Sequence, residues 1–522
     1  MAEREYVSLD IRRKVAQLIF PRLDVADFEA NKSEYIALAE QGVGGFCVFN
    51  ADLAGMRNVA RTLAAHSDIP LLYCCDMEFG LPMRFSDGTP FPRAGAIGRT
   101  GNPGNAFIAA KITALEAKSC GIFWNLAPVA DVASNPENPI IGLRAFADNP
   151  NDTAKFVLAA IKATQDERVM ACAKHFPGHG DTAVDSHIEI PTLAKSLDEM
   201  THNELMPFYL AITQGVASIM VGHLTVPALD DSLAPASLSR KIITDFLRKK
   251  LKFGGIIVTD ALDMKSVENM HPTGGAALEA LKAGADVLLM PKSFSDATAC
   301  IYKHLDEIDA EEILDSFDRI IAQKRRCGLI DGILNSLPEN LNFAEHAEIA
   351  MRMAKSCLKF SGEQSACTLS EDDSYLLLCV LTDDRHLENA LKFSRLLQSR
   401  TYNDCDTMFI NEGFTDADAA EIEKAADDSV AIIAVFQAPG GYAAKRNVSP
   451  ELAARINRLS AKKKTVLVNF APPEASGEIV FDEKISASSD DLTTLNAVAN
   501  LISGSDEPFD FVGDIDVAKY KR

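Results

Sequence analysis

The chain has 522 residues, of which 47% are hydrophobic, and its formal net charge is -22 at pH 7. This length exceeds the size at which a single hydrophobic core stops growing, so we expect two domains. The negative charge argues against nucleic acid as a partner, because binding a phosphate backbone requires clustered lysine and arginine. No apolar run approaches the length that spans a bilayer, and we expect no membrane partner.

The cysteines and the first ten residues indicate in which cellular compartment the protein is expected. Eleven cysteines are scattered along the chain without a Cys-x-x-Cys pair. Their odd number, and the placement of Cys74 and Cys75 among others in apolar runs, favour a reducing environment. The segment Met1 to Asp10 is charged and lacks the apolar core of a secretion signal, so we predict a cytoplasmic protein. A chain whose leader had been removed would begin in the same way.

Short apolar runs, most of them separated by alanine-rich amphipathic segments, fill the first two-thirds of the chain. This alternation of strands and helices is typical of a parallel sheet. Eight such units predict a (β/α)8 TIM-type barrel, although a doubly wound open sheet has the same alternation. The predicted strands are Gln17–Phe20, Gly45–Phe49, Leu71–Asp76, Ile122–Leu126, Val169–His175, Ser218–His223, Gly255–Asp260 and Ala285–Met290.

The position of the polar residues favours the barrel over the open sheet. Barrel enzymes assemble their sites at the carboxyl ends of the strands. The third, fifth, sixth and seventh runs all end in titratable residues, namely Asp76, Lys174 with His175, His223 and Asp260. These side chains are therefore expected to converge on one face of the barrel.

A second α/β domain is predicted after the helix Ala310–Cys327 and the loop Gly328–Asn342. A further helix, Ala344–Lys359, precedes a new series of strands with helices between them. We therefore predict a barrel over residues 1–335, a linker over 336–350 and a smaller α/β/α sandwich over 351–522. The predicted strands of the sandwich are Tyr375–Leu381, Thr407–Ile410, Val430–Phe436 and Thr465–Phe470.

The most informative stretch is Lys-His-Phe-Pro-Gly-His-Gly-Asp at 174–181, followed after three residues by Asp185-Ser186-His187. A strand that ends in a loop rich in titratable groups is a common place for function. Asp185 lies two residues from His187, close enough to orient its imidazole and favour the protonated form, which makes His187 a candidate proton donor. The competing interpretation is that these histidines make only structural hydrogen bonds.

Asp260 directly follows the apolar strand Gly255–Thr259 and is expected at the mouth of the barrel. An unpaired carboxylate there is costly unless it has a catalytic role or a cation nearby. An aspartate can also cap the following helix, an interpretation that fits Asp263 better than Asp260. Together with the Asp185–His187 pair, Asp260 could open a glycosidic bond by double displacement, as nucleophile opposite a proton donor.

These motifs closely resemble glycoside hydrolase family 3, specifically its bacterial β-N-acetylglucosaminidase branch. The resemblance covers roughly residues 8 to 330 well and the following sandwich more loosely. It extends beyond the two stretches above to Cys-Asp-Met-Glu at 75–78 with Arg84, Asn-Leu-Ala-Pro-Val-Ala-Asp-Val at 125–132, Gly-Leu-Arg-Ala-Phe at 142–146 and Gly-His-Leu at 222–224.

The resemblance implies roles for particular residues. Asp260 matches the nucleophile of the family, and Asp185 with His187 matches its acid/base dyad. The positions that match its first sugar subsite are Asp76, Arg84, Arg144, Lys174 and His175. The implied enzyme is a retaining exo-β-N-acetylglucosaminidase without cofactor or metal, a monomer or homodimer acting on N-acetylglucosaminides such as muropeptide fragments, which suggests peptidoglycan recycling.

Other interpretations stay open on the sequence alone. Phosphate could replace water as the acceptor, because a neutral histidine base does not repel an anion, and the sugar specificity could differ. A metal-dependent hydrolase could use His175, His179, His187 and Asp260 as ligands, although their spacing matches no closed metal motif. A sugar-binding module that has lost turnover is a further possibility, but both catalytic positions are intact.

Overall fold

The computed structural model describes residues 6, 8–182, 189–338, 340–370, 373–401, 405–425, 430–437, 447–461 and 463–510. The chain forms two compact units. The first contains Met1–Thr89, Asn102–Ile141 and Ala145–Asn342. The second contains Pro90–Gly101, Gly142–Arg144 and Phe343–Arg522.

Parallel strands form a closed ring in the first unit. Strands β2 to β8 pair in sequence order, and β1 pairs with β9. A bridge between Val258 and Val287 joins β8 to the chain that enters β9, while Pro21 alone separates β1 from β2. The strands are β1 (Ile19–Phe20), β2 (Arg22–Asp24), β3 (Gly45–Phe49), β4 (Leu72–Cys75), β5 (Ile122–Asn125), β6 (Met170–Phe176), β7 (Ser218–Val221), β8 (Ile256–Thr259) and β9 (Leu288–Leu289).

Helices follow most of these strands and begin at residues that favour helix starts. Asn102 and Asn149 each accept a hydrogen bond from the first turn of the next helix, and a proline follows each of them. Both features stabilise a helix amino terminus. The helices are Ile11–Gln17, Lys32–Gln41, Leu53–Ala64, Pro103–Ser119, Pro150–Asp166, Leu197–His202, Leu205–Gln214, Lys241–Lys250, Lys265–Glu268, Gly275–Ala283, Phe294–Lys303 and Ala310–Arg326.

The only tryptophan of the chain is fully buried in the barrel unit. The indole Nε1 of Trp124 donates to Ser218 Oγ at 2.8 Å, and Ser218 in turn donates to the carbonyl of Ala171 at 2.8 Å. The Phe20 ring packs edge-on against Trp124, with 5.7 Å between the ring centroids. The barrel therefore has a packed interior in which the buried polar atoms of this cluster are satisfied.

A six-stranded sheet forms the centre of the second unit. Its order is β10-β15-β14-β13-β11-β12, and every pair is parallel except β10 with β15. Its strands are β10 (Lys359–Ser361), β11 (Tyr375–Leu381), β12 (Cys405–Ile410), β13 (Val430–Phe436), β14 (Lys464–Asn469) and β15 (Glu483–Ser486). Its helices include Ala94–Gly98, Phe343–Cys357, Leu387–Arg400, Asp416–Ala425, Pro450–Ser460 and Leu492–Ser503.

Alternate residues of β11 enter two different hydrophobic clusters. Leu377 and Cys379 pack with the helices Leu387–Arg400 and Leu492–Ser503. Leu376 and Leu378 pack on the opposite face. Helices cover both faces of the sheet, so the prediction of a TIM-type barrel followed by a smaller α/β/α sandwich is confirmed.

The differences from the predicted elements lie in short segments. Gln17 ends a helix rather than starting the first strand, because its side chain donates to the carbonyls of Gly42 and Val43. Strands β10 and β15 were not predicted. Both are short and contain exposed or half-exposed polar residues, so they lack the apolar run by which a buried strand is identified.

A buried ion pair in the second unit joins Arg93 to Asp490. Oδ1 of Asp490 accepts from Nε and Nη2 of Arg93 at 3.0 and 2.9 Å. Burial acts to raise the pKa of Asp490, but Arg93 and then His386 outweigh it and hold this pKa below its usual value. Asp490 is therefore charged in the folded protein.

We expect Arg93→Met to lower the free energy of unfolding by about 3 kcal/mol, the low end of the range for breaking a buried ion pair, because the buried Asp490 carboxylate loses its guanidinium but keeps Asn389 and His386 as neighbours. The matched control is Arg458→Met, whose pair with Asp416 is exposed to solvent and therefore contributes little to stability. Urea denaturation measures the free energy of unfolding of both variants. Since the Asp490 pKa is depressed on folding, its contribution is present at neutral pH and is lost as the pH falls below about 4. Equal effects of the two substitutions would contradict this account.

Candidate active site

The structure places five of the predicted polar residues at the carboxyl ends of barrel strands. Lys174 and His175 lie near the end of β6, and Asp76 and Asp260 directly follow β4 and β8. One residue, Gly222, separates His223 from the end of β7. The Asp260 backbone N–H donates to the carbonyl of Val221 at 3.0 Å, which fixes the end of β8 beside that of β7.

Asp76 is held between two cations. Its Oδ1 lies 2.7 Å from Lys174 Nζ, and its Oδ2 lies 3.1 Å from Arg84 Nη2. Burial acts to raise the pKa of Asp76, but Lys174 and Arg84 outweigh it and lower the pKa below its usual value. Glu78, to which the sequence assigned no role, is a second carboxylate on Lys174, at 2.8 Å.

The guanidinium of Arg84 is fixed by an aromatic ring as well as by Asp76. It lies over the Phe49 ring, 4.9 Å from the centroid. Its Nε atom is buried and has no hydrogen-bond partner within the described residues. A buried donor without a partner is costly, so Arg84 is suited to donate to a hydroxyl of a bound ligand.

Asp131 organises the two histidines of the Lys-His-Phe-Pro-Gly-His-Gly turn. Its carboxylate lies 2.7 Å from His175 Nδ1 and also accepts from the backbone N–H groups of His175 and His179. Burial acts to raise the pKa of Asp131, but His175 outweighs it and the pKa is lowered. The His175 ring is therefore oriented by a fully buried carboxylate that the sequence contained but to which we had assigned no role.

His179 is neutral at physiological pH. Burial lowers its pKa to about 4, and the nearby Asp131 only partly offsets this effect. Its Nδ1 lies 2.8 Å from Thr182 Oγ1, and its Nε2 is buried without a hydrogen-bond partner in the part of the chain that the structure describes. Asp131 contacts His179 through the backbone N–H of that residue, whereas it contacts the ring of His175 directly.

Asp260 is a partly exposed and ionised carboxylate. Its Oδ1 accepts from the backbone N–H of Ala261 at 2.8 Å, which is its only side-chain hydrogen bond among the described residues. Burial acts to raise its pKa, but His223 and His175 outweigh it and lower the pKa to about 2. Neither Asp260 nor Asp263 caps a helix, since the next helix begins after Met264.

His223, which lowers the pKa of this carboxylate, is fully buried. Its Nδ1 lies 2.6 Å from Ser237 Oγ and its Nε2 2.9 Å from the carbonyl oxygen of Ala261. Because a carbonyl oxygen only accepts, Nε2 must carry the proton. The imidazole thus fixes the residue that follows Asp260, and its electrostatic effect lowers the pKa of the aspartate.

The other three predicted site residues are Asp185, His187 and Arg144. Asp185 and His187 lie outside the described residues. Arg144 ends the short helical turn Gly142–Arg144, which belongs to the second compact unit. The first-unit cluster therefore consists of Asp76, Glu78, Arg84, Asp131, Lys174, His175, His179, His223 and Asp260.

The described residues contain neither a metal-binding cluster nor a membrane-spanning helix. No group of three or more histidine, cysteine, aspartate or glutamate side chains among them is arranged to hold a metal ion. None of the helices in those same segments has both the length and the apolar character needed to cross a bilayer. All eleven cysteines are unbridged thiols.

Comparison with known proteins identifies relatives. A family model described as the glycosyl hydrolase family 3 N terminal domain matches residues 10–322. A beta-hexosaminidase A from Pseudoalteromonas piscicida is 31% identical over 352 residues, which cover 61% of this chain and 59% of that protein. This chain therefore matches less than two-thirds of the length of that relative.

Two solved structures share the architecture of nearly the whole chain. A family 3 β-N-acetylglucosaminidase from Paenibacillus sp. str. FPU-7 is 27% identical, with a TM-score of 0.82 over 95% of this chain and 97% of that one. A beta-glucoside phosphorylase is 20% identical, with a TM-score of 0.84 over 96% of this chain and 94% of that one. The second likeness shows the fold alone.

Proposed function

This chain belongs to glycosyl hydrolase family 3, and from that premise we propose that it is a retaining exo-β-N-acetylglucosaminidase. The observation that carries the proposal is an ionised, partly exposed Asp260 in the barrel that also holds the Asp76–Arg84–Lys174 cluster. The names of a hexosaminidase relative and of a β-N-acetylglucosaminidase structure support an N-acetylated sugar as substrate. We assign the chemistry to a barrel domain over residues 1–335.

The proposed first step forms a glycosyl-enzyme. A carboxylate oxygen of Asp260 attacks the anomeric carbon, the bond from that carbon to the glycosidic oxygen breaks, and the imidazolium of His187 protonates the departing oxygen. Asp185 orients the imidazole and favours its charged form. The low pKa of Asp260 keeps the nucleophile ionised while a proton remains on the histidine.

The second step releases the sugar. The now neutral His187 takes a proton from water, the water oxygen bonds to the anomeric carbon, and the ester bond to Asp260 breaks. Two inversions give net retention of the β-configuration. The dyad and the nucleophile then have their original protonation states.

The first subsite is proposed to hold the terminal sugar through charged hydrogen bonds. Asp76 is suited to accept from two neighbouring hydroxyls, while Arg84 and Lys174 donate. His175, which Asp131 orients and which lowers the pKa of Asp260, is assigned to the same subsite. Arg144 and the Asp185–His187 dyad join the proposal on the resemblance of their motifs alone.

A panel of 4-nitrophenyl glycosides, assayed with and without phosphate, tests the reaction. We expect rapid release of nitrophenol from the N-acetyl-β-glucosaminide, with free N-acetylglucosamine as the product in both buffers. Proton NMR should show the β-anomer first. Accumulation of the sugar 1-phosphate would identify a phosphorylase instead, and preference for the plain glucoside would overturn the assigned specificity. Chitobiose and muropeptide fragments, compared in the same assay, test cell-wall fragments as the natural substrates we propose.

The pH dependence of kcat/KM should separate the two catalytic groups. Asp260, with a pKa of about 2, stays ionised throughout the range above about pH 4 and contributes no change there. The imidazolium of His187 is the active form, so kcat/KM should fall as the pH rises and this imidazolium loses its proton. This alkaline limb should disappear in His187→Ala. A limb that persists in that variant would exclude His187 as the acid.

A further inference from the structure

The chain that leads to residues 183–188 is fixed to the barrel on one side. The side-chain amide of Asn138 donates to the carbonyl of His179 at 2.7 Å and to Thr182 Oγ1 at 3.2 Å. Asn135 donates to the carbonyl of Asp181 at 3.3 Å. The outgoing stem, residues 178–182, is therefore held by the segment that follows β5.

The chain that returns from residues 183–188 is fixed at a different place. The backbone of Leu193 donates to the carbonyl of Thr225 at 2.9 Å, and Thr225 donates to that of Pro191 at 2.9 Å. The hydroxyls of Thr192 and Thr225 lie 2.8 Å apart. The return stem, residues 189–195, is therefore held by the segment that follows β7.

Lys195 connects the two stems. Its Nζ lies 3.2 Å from Asp181 Oδ2 on the outgoing stem and 2.6 Å from Glu204 Oε1. Burial acts to lower the pKa of Lys195, but the hydrogen bonds from its ammonium to Glu204 and Asp181 outweigh it and raise the pKa, so the ammonium stays charged.

Glu204 supports the base of the outgoing stem. Its side chain is fully buried, and it packs against Gly178, whose φ of +125° few other residues adopt. A Cβ at that glycine would lie only 2.6 Å from Glu204 Cβ. The buried carboxylate of Glu204 thus holds the ammonium of Lys195, and this ammonium also contacts Asp181.

We propose that Lys195 is a positioning residue for the proton-transfer step, acting by fixing the separation of the two stems between which Asp185 and His187 lie in the sequence. This inference rests on the proposed function. A general acid must come within hydrogen-bond distance of the glycosidic oxygen, and a displacement of about 1 Å costs on the order of 100-fold in rate. Loss of the Lys195 bridge should therefore impair protonation of the leaving group more than any other step.

The dependence on the leaving group tests this role. Dinitrophenolate departs without protonation, whereas phenolate requires a proton donor. In Lys195→Met, we expect kcat/KM for the phenyl N-acetyl-β-glucosaminide to fall about tenfold or more, and that for the 2,4-dinitrophenyl analogue to fall about twofold or less. General structural damage would lower both values equally.

Asp181→Ala is the second variant. It breaks the bridge at its more exposed end and leaves the buried Lys195–Glu204 pair intact, so folding is protected. It should show the same selective loss. Lys195→Arg should restore most of the activity on the phenyl substrate. Lys241→Met, which removes a lysine that contacts Asp230 and Asp231 elsewhere in the barrel, should leave the ratio of the two substrates unchanged.

The outcomes separate this inference from the proposed function. A wild-type protein that cleaves neither substrate would overturn the proposed function. A wild-type protein that cleaves both, with Lys195→Met and Asp181→Ala either unaffected or impaired equally on the two substrates, would overturn the positioning role alone.

Discussion

We expect Asp260→Ala to reduce kcat/KM for the 4-nitrophenyl N-acetyl-β-glucosaminide by about 10⁴-fold or more, the scale of loss when a nucleophile is removed. The reason is that the alanine side chain offers no oxygen to the anomeric carbon. Since Asp260 is partly exposed and has one side-chain hydrogen bond within the described residues, the variant should fold normally. Steady-state kinetics with circular dichroism as a folding check measure both effects.

Azide provides a diagnostic for the lost nucleophile. A small anion can enter the space left by the carboxylate and attack the same face of the sugar, which gives the α-glycosyl azide by a single inversion. The matched control is Asp263→Ala, in which the replaced aspartate lies three residues further along and is exposed. We expect it to change kcat/KM by less than about threefold, in line with surface substitutions. Wild-type activity in Asp260→Ala would remove the residue from the mechanism.

The second large effect is expected for Asp76→Asn. The substitution conserves size but removes the charge that accepts from the sugar hydroxyls. Hydrogen bonds to charged groups are worth about 1.5–3 kcal/mol each, so losing two of them should lower kcat/KM by about 100-fold or more. The ion pair of Lys174 with Glu78 remains, which keeps the buried ammonium paired.

The comparison of kcat with KM shows where Asp76 acts. If its contacts strengthen at the distorted transition state, kcat should fall together with kcat/KM. A rise in KM with kcat unchanged would indicate uniform binding instead. Asp52→Asn is the control, because Asp52 only caps the helix Leu53–Ala64 and asparagine caps nearly as well. Equal activities of the two variants would exclude Asp76 from the subsite.

The strands of the fold could be predicted because buried parallel strands are short apolar runs with few polar interruptions. The run Val430–Phe436 has its predicted bounds, and Tyr375–Leu381 does as well. The first barrel strand could not be delimited, because Pro21 divides it and its two pieces pair with different neighbours, β9 and β3. Such pairing depends on distant parts of the chain and leaves no local pattern.

The same distinction between local patterns and distant contacts applies to the residues of the candidate site. Asp76 and Asp260 are conspicuous in the sequence because each directly follows an apolar run. Asp131 is not, because its importance arises from its contact with His175, which lies 44 positions away. Glu78 likewise is identified only through Lys174. Residues that orient other residues make their contacts in three dimensions, and the sequence shows only that a titratable group is present.

Trapping the glycosyl-enzyme tests the central claim most directly. A 5-fluoro N-acetylglucosaminyl fluoride forms the covalent intermediate faster than water can resolve it, and peptide mass spectrometry locates the added sugar. We predict that one 5-fluoro-N-acetylglucosaminyl group is added to Asp260 and that none is added to the Asp260→Ala protein. A label on any other residue, or turnover of substrate with no covalent species detected by rapid quenching, would contradict the account.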